Sequence, residues 1–201
     1  MNIQFPRVLR PFMGKLIWRK NPSEKVIYLT FDDGPVPEVT PLVLDILDEY
    51  KIKATFFCVG DNVQKYPEVY KAVLQRGHTT GNHTYNHLKG FSVSAGEYAE
   101  NVQKASEYID SGLFRPPYGR ITYKQRRLLS PQYEIVMWDL ITHDYNRNLS
   151  VEAIFRNVKR HVRNGSIIVF HDSIKAKENV LAVLPQAIEY LENEGYSFGV
   201  L

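Results

Sequence analysis

Cysteine is nearly absent from this chain of 201 residues, which contains Cys58 and no other. A single thiol excludes an internal disulfide, so cysteine content leaves the redox compartment open. Cys58 lies in the apolar run 54–59. A small buried side chain is therefore the expected role, rather than a reactive thiol.

Long apolar runs are missing as well. No stretch approaches the ~18 apolar residues that a bilayer-spanning helix needs, and the N-terminus lacks the apolar core of a secretory signal. The default expectation for localisation is therefore cytoplasmic, with association at a membrane surface as the alternative.

That alternative comes from an N-terminal arm, residues 1–24, which has five basic residues and no acid before Glu24. Apolar side chains such as Leu9, Phe12 and Trp18 are interspersed among the charges. A basic, apolar segment of this kind can contact an anionic membrane through residues 1–23. We favour the other possibility, an arm that packs against a catalytic domain formed by residues 25–201.

A strong imbalance of charge is also lacking, because 25 Lys and Arg oppose 22 Asp and Glu for a net charge of +3. Without a basic stripe, the sequence argues against nucleic acid as the partner. Hydrophobic residues make up 44% of the chain, enough for a substantial core in one domain. The oligomeric state is left open.

Strand-like and helix-like segments alternate from residue 25 onward. Strands are predicted at 26–31, 54–59, 78–83, 113–115, 133–138, 166–170 and 197–200. Helices are predicted at 40–50, 94–110, 122–129, 150–162 and 179–194, and a further helix follows the strand at 54–59 and ends near residue 76. Thr40, Ser94 and Ser150 are the predicted caps. Because polar motifs follow several of the strands, we expect an α/β fold, a distorted (β/α)7 TIM-like barrel of parallel strands wrapped by helices, rather than an open sheet.

The first polar motif is Asp32-Asp33-Gly34-Pro35, directly after a hydrophobic strand. Adjacent side chains of a strand point to opposite faces, so both carboxylates serve one site only if the chain kinks at Gly34-Pro35. One aspartate then binds a metal and the other acts as a base. The alternative is a polar turn with two solvated acids.

The second motif places His83 and His87 four residues apart. Histidines at this spacing lie on one helical face and can reach the same cation, and with a carboxylate they form an open metal site. The alternative is two unrelated surface histidines. His78 has no partner at ligand spacing and is expected in the core or behind the site.

Three further segments carry candidate site residues. Arg115 precedes the rigid pair Pro116-Pro117, and its guanidinium suits a carboxylate, although an exposed arginine on a structural turn is the alternative. His171 ends an apolar strand and can donate a proton to a leaving amine, unless it is a core histidine. A neighbouring carboxylate, either Asp144 or Asp139, would hold its ring and raise its pKa.

Taken in this order, these motifs resemble the polysaccharide deacetylase family, also called carbohydrate esterase family 4, over roughly residues 25–201. The resemblance implies a hydrolase that removes the acetyl group from an N-acetylated sugar of a polysaccharide, peptidoglycan or chitooligosaccharide and releases acetate. It also implies a divalent metal ion, usually zinc, with Co²⁺, Fe²⁺ and Ni²⁺ as alternatives.

The resemblance further assigns roles to eight residues. These are Asp33, His83 and His87 as metal ligands, Asp32 as general base, His171 as general acid, Arg115 as the residue that orients Asp32, Asp144 as the residue that tunes His171, and the backbone N–H of Tyr118 as an oxyanion donor.

Two positions depart from the family pattern and leave the glycan open. Tyr145 follows Asp144 where the family usually has tryptophan, and Val169 occupies the usual leucine position of Leu-x-His. Related alternatives are hydrolysis of a non-sugar amide or an O-acetyl ester, or a non-catalytic glycan-binding barrel. A binding module usually lacks a ligand or the base, whereas every core position is filled here.

Overall fold

A sheet of eight parallel strands forms the centre of the molecule. The structure is a computed structural model and describes residues 4, 6, 8, 10 and 13–201. The strands are β1 (Val26–Asp32), β2 (Thr55–Cys58), β3 (Thr79–Asn82), β4 (Leu113–Phe114), β5 (Glu134–Ile135), β6 (Leu140–Ile141), β7 (Ile167–His171) and β8 (Ser197–Phe198).

Seven α-helices accompany the strands in the described part of the chain. They are α1 (Thr40–Glu49), α2 (Gly60–Lys65), α3 (Pro67–Gln75), α4 (Ala95–Ser106), α5 (Tyr123–Leu129), α6 (Val151–His161) and α7 (Lys177–Asn193). The strand order is β5-β4-β3-β2-β1-β7-β6, with β8 beside β1. The sheet curls into a barrel-like half-shell wrapped by helices, which confirms the predicted fold class.

Both faces of the central strands are buried, which explains why they read as continuous apolar runs rather than as alternating patterns. All residues of β2 and β7 are buried. The Phe31 ring stacks on Phe56 at 4.9 Å and on Phe170 at 5.9 Å between centroids. Phe31 and Phe170 directly precede the polar residues that end β1 and β7, so the packing of these rings fixes where those strand ends lie.

Several predicted boundaries are wrong. Thr40 does not cap α1: the helix begins at Thr40, its N-cap residue is Val39, and no side chain makes a cap hydrogen bond. The helix ending near 76 is split into α2 and α3, because Pro67 disfavours helical backbone at Tyr66. The strand predicted at 133–138 is reduced to β5, and β6 was not predicted.

The described part of the N-terminal arm packs against the sheet. Ile17 forms a parallel bridge with Val136 and donates its N–H to the Ile135 carbonyl at 2.9 Å. Lys20 donates its N–H to the Gly165 carbonyl at 2.9 Å. Arg7, Leu9 and Phe12 lie outside the described residues, so membrane contact through residues 1–23 stays a prediction.

Across the residues that the structure describes, no helix combines the length and apolar character needed to cross a bilayer.

Trp18 anchors this arm, because its side chain is 7% exposed and the Arg10 guanidinium lies 5.1 Å from its ring. We expect Trp18→Ala to lower the free energy of unfolding by about 3–5 kcal/mol, the usual cost of truncating a buried aromatic side chain. Thermal unfolding measures the effect, with Val8→Ala as control because Val8 is 77% exposed in the same arm. Equal melting temperatures for the two variants would show that the arm does not stabilise the domain.

Candidate active site

The polar motifs meet at one edge of the sheet. Asp32 is the last residue of β1 and His171 the last of β7, and the two residues are in register across that strand pair. His83 follows β3 directly, and Arg115 follows β4. Since all these strands are parallel, their carboxyl ends open onto the same edge, where barrels of this kind build their sites.

Asp33, His83 and His87 lie together at this edge. Asp33 Oδ1 is 3.2 Å from His87 Nε2 and 3.8 Å from His83 Nε2. One ligand atom from each residue lies within 4.8 Å of the other two. Two ligands at ordinary zinc distances in tetrahedral geometry are ~3.3 Å apart, so this cluster fits one divalent cation with positions left over for water or substrate.

The two histidines meet through a loop, and the prediction that they share a helical face is wrong. Residues 83–89 contain no helix, and Thr84 and His87 have φ angles of 65° and 56°. The Thr84 N–H donates to Asn82 Oδ1, and Thr84 Oγ1 accepts the Leu88 N–H, each at 2.9 Å. These local hydrogen bonds replace a helical ladder and bring the rings to 5.1 Å between centroids.

His83 is oriented for ligation by its second nitrogen. Nδ1 lies 2.7 Å from the Arg115 carbonyl oxygen. A carbonyl only accepts, so the proton is on Nδ1 and the lone pair of Nε2 is directed towards Asp33. Burial lowers the pKa of His83 to about 4, so the ring is neutral at pH 7, as a metal ligand must be.

Asp33 follows Asp32 in sequence, but its side chain contacts His87 whereas that of Asp32 contacts Arg115, because the backbone turns at Asp33. Its φ angle is 83°, so the kink expected at Gly34-Pro35 already begins at Asp33. Burial acts to raise the pKa of Asp33, but the hydrogen bond from His87 and the charges of the nearby histidines hold it well below its usual range. The carboxylate is therefore ionised at neutral pH.

Arg115 is fully buried and holds Asp32. Its Nη1 donates to Asp32 Oδ1 at 2.6 Å and to Thr30 Oγ1 at 2.8 Å. Nε and Nη2 donate to the carbonyls of Val136 and Met137 at 3.3 and 3.0 Å. All three guanidinium nitrogens are thus bonded to fixed groups, so Asp32 has one defined orientation.

Asp144, and not Asp139, pairs with His171. Asp144 Oδ1 is 2.7 Å from His171 Nδ1, and Oδ2 accepts the His171 backbone N–H at 2.8 Å. Asp139 instead forms ion pairs with Arg10 and Arg163. Burial alone would lower the pKa of His171, but the carboxylates of Asp144, Asp33 and Asp32 raise it to about 9.

Comparison with known proteins assigns this chain to a family. Residues 19–132 match the family model described as polysaccharide deacetylase. A peptidoglycan-N-acetylglucosamine deacetylase from Bacillus cereus is 35% identical over 193 residues, which cover 92% of this chain and 90% of that protein. The chain belongs to the polysaccharide deacetylase family.

Solved structures of this family superpose closely. A peptidoglycan N-acetylglucosamine deacetylase in complex with 4-naphthalen-1-yl-N-oxidanyl-benzamide has a TM-score of 0.91 at 30% identity, covering 98% of this chain and 95% of that one. A carbohydrate esterase family 4 pseudoenzyme from Bacillus anthracis has a TM-score of 0.83 at 25% identity, covering 92% and 66%. The family generally depends on a divalent metal ion, and the cluster of Asp33, His83 and His87 is a possible site for it.

Tyr118 lies at the rim of this polysaccharide deacetylase site. Its φ angle is 60°, its side chain is 53% exposed, and its ring centroid is 4.7 Å from that of His87. The N–H groups of Gly119 and Arg120 donate to the carbonyls of Pro116 and Pro117. Among the described residues, no acceptor takes up the N–H of Tyr118 itself, which leaves this donor available to a ligand.

Sequence reasoning missed three residues that support the site: Thr40, Asn62 and Asp172. Asn62 donates its side-chain amide to the Asp33 carbonyl at 2.8 Å. Asp172 is 1% exposed, and burial raises its pKa to about 7. The sequence signal for Asp172 was its position directly after His171, at the end of an apolar strand.

His78, by contrast, lies in the core: its Nδ1 accepts the Ala54 N–H at 3.2 Å, before β2 begins.

Proposed function

We propose that this chain is a metal-dependent N-deacetylase that hydrolyses the acetamide of N-acetylated sugars in a glycan and releases acetate. One observation carries the proposal. A possible metal cluster, an arginine-held carboxylate and a carboxylate-held histidine lie at the same edge of the sheet. The relative that is 35% identical to this chain is a peptidoglycan-N-acetylglucosamine deacetylase, which supports a glycan of that class as the substrate.

Asp33, His83 and His87 would hold the metal ion, with zinc as the first choice and Co²⁺, Fe²⁺ or Ni²⁺ as alternatives. Two imidazoles and a carboxylate are ligands that suit these ions and leave room for water and substrate. A divalent ion bound there would polarise the acetamide carbonyl and lower the pKa of a water ligand from ~15.7 towards ~7.

Asp32 would act as the general base that removes a proton from the attacking water. Its contact with Arg115 supports this role in two ways. The fixed guanidinium stops the carboxylate from turning away, and its positive charge compensates the negative charge of Asp32 in a site that is largely buried.

His171 would act as the general acid for the departing nitrogen. With a pKa of about 9, it carries a proton at neutral pH. Asp144 occupies Nδ1, so the proton on Nε2 is the one available to the leaving amine. Base and acid belong to neighbouring strands, β1 and β7, which allows each to act on the same scissile bond.

The Tyr118 backbone N–H would stabilise the oxyanion of the tetrahedral intermediate. No acceptor takes up this N–H within the described part of the chain, and the ring of Tyr118 lies 4.7 Å from that of His87 between centroids. One donor of this type is typically worth about 3 kcal/mol of transition-state stabilisation.

Asp144→Asn should change the pH dependence of the reaction. His171 is active while protonated, so kcat should fall as the pH rises through the pKa of His171. Loss of the Asp144 charge should move this upper limb to lower pH by about 1–3 pH units. A cation at Asp33 would offset the contribution of that aspartate but not that of Asp144, so the difference between the two proteins is the quantity to measure.

Tyr145→Phe is the matched control for that profile. The Tyr145 ring packs edge-on against His171 at 4.8 Å between centroids, and its hydroxyl bonds to His143. Removing the hydroxyl leaves the carboxylate next to His171 unchanged, so the upper limb should stay in place. Coincident limbs for wild type and Asp144→Asn would remove His171 from the role of acid.

Measurement of acetate release tests the proposed function. The substrates are N-acetylglucosamine oligomers, peptidoglycan and O-acetylated xylan, each with Zn²⁺ and again after chelation. The proposal expects zinc-dependent acetate release from an N-acetylated substrate. The pseudoenzyme among the structural relatives shows that fold alone does not guarantee activity. Glycan binding without acetate release from any substrate would refute the proposal.

A further inference from the structure

Asp172 is a buried carboxylate for which the proposed chemistry has no use. It follows His171 directly and is 1% exposed. In the part of the chain that the structure describes, it forms no ion pair, since its carboxylate accepts from neutral donors alone. Burying such a group is costly unless each oxygen is hydrogen-bonded, so its partners should indicate what it does.

Those partners are Gly34, in the loop that carries Asp33, and Thr40, the first residue of α1. Asp172 Oδ1 accepts the Gly34 N–H at 3.0 Å, and Oδ2 accepts the Thr40 hydroxyl at 2.6 Å. In the opposite direction, the Asp172 N–H donates to the Asp32 carbonyl at 3.1 Å. The end of β7 is thus bonded to the end of β1 through backbone and side chain together.

The peptide group between Asp33 and Gly34 is held at both of its polar atoms. Its carbonyl oxygen accepts the Asn62 side-chain amide at 2.8 Å, and its N–H donates to Asp172. Asp33 has a φ angle of 83°, a conformation that residues with a side chain rarely adopt. Such a conformation persists where surrounding contacts over-determine it, and these two hydrogen bonds do so.

The Asp172 carboxylate also packs against this peptide group so closely that Gly34 must lack a side chain. A Cβ atom at Gly34 would lie 1.9 Å from Asp172 Oδ2. Glycine at this position therefore allows the Asp172 carboxylate to lie against the backbone.

We propose that Asp172 is a positioning residue that locks the Asp33–Gly34 peptide and thereby presents the Asp33 carboxylate to the metal ion. It acts through Asp33 and touches no reacting atom. The inference rests on the proposed function, because it takes Asp33 as a metal ligand. Residues that orient metal ligands typically contribute 10- to 100-fold to metal affinity.

Zinc affinity, measured by competition with a chelator, tests this role. Asp172→Ala removes the acceptor for the Gly34 N–H and should weaken Zn²⁺ binding by about 10- to 100-fold. Asp172→Asn can still accept from one of the two donors, so its loss should be smaller, about 3- to 10-fold. Partial rescue by asparagine distinguishes a hydrogen-bond role from a requirement for charge.

Asp139→Ala is the matched control. Asp139 is also a fully buried carboxylate, but its N–H bonds to Ile167 at the start of β7, the opposite end of the strand from Asp172. It should lose stability like Asp172→Ala and bind Zn²⁺ as wild type does. A purely structural role for Asp172 predicts the same behaviour in both variants.

The outcomes separate this inference from the proposed function. If wild type fails to bind Zn²⁺ more tightly than His87→Ala does, the metal site itself is refuted. If wild type binds Zn²⁺ and both Asp172 variants keep its affinity, the positioning role alone is overturned. If Asp172→Ala does not fold, Asp172→Asn decides by itself, and wild-type affinity in that variant overturns the inference.

Discussion

Replacing His87 with alanine is expected to remove metal binding and acetate release together. The binding free energy of a structural zinc site with four protein ligands is about 10–16 kcal/mol. Each ligand therefore contributes roughly 2.5–4 kcal/mol, or about 100-fold in affinity or more. His87 Nε2 is 3.2 Å from Asp33 Oδ1, closer than His83 Nε2, which is 3.8 Å from the same oxygen. Its loss leaves Asp33 and His83 as a two-ligand site, too weak to retain the ion through dialysis.

Metal content after dialysis and acetate release from N-acetylglucosamine oligomers are the two measurements. His161→Ala is the control, because His161 lies on α6 and its Nδ1 bonds to the Asn157 carbonyl, away from the cluster. The control should keep both metal and activity. Full metal occupancy in His87→Ala would exclude His87 as a ligand, whatever its effect on rate.

Asp32→Asn is expected to combine a large loss of rate with a loss of stability. Removing a general base typically costs 10²–10⁴ in rate. Arg115 is fully buried, and Asp32 is its ion-pair partner. Breaking a buried pair by removing one partner costs about 3–5 kcal/mol, because the remaining charge is left uncompensated. Zinc affinity should change little, since Asp32 is not part of the proposed ligand set.

Asp139→Asn separates these two effects. Asp139 is likewise buried and paired with arginines, Arg10 and Arg163, but at the opposite end of the sheet. It should show a similar fall in the free energy of unfolding while kcat/KM stays near that of wild type. The assignment of Asp32 as base fails if Asp32→Asn deacetylates at a rate comparable to Asp139→Asn under conditions where both are folded.

The order of motifs along the chain predicts much of this molecule. Apolar runs such as 166–170 indicate strands buried on both faces, and polar residues directly after them indicate a site at the strand ends. Asp32, Asp33, His83, Arg115 and His171 could be selected in this way. Both signals are local, because they depend on a strand and on the residue that ends it.

Contacts between distant segments depend on the packed sheet and could not be predicted from spacing. Sequence alone left Asp139 as a competitor of Asp144, yet Asp139 pairs with Arg163 before β7 begins and Asp144 pairs with His171 at the end of that strand. The spacing of His83 and His87 indicated a helix, whereas hydrogen bonds to Asn82 and Thr84 favour a loop. The Asp172 contact to Gly34 spans 138 residues. A hydrogen bond at such separation exists only because parallel strands place their carboxyl ends side by side.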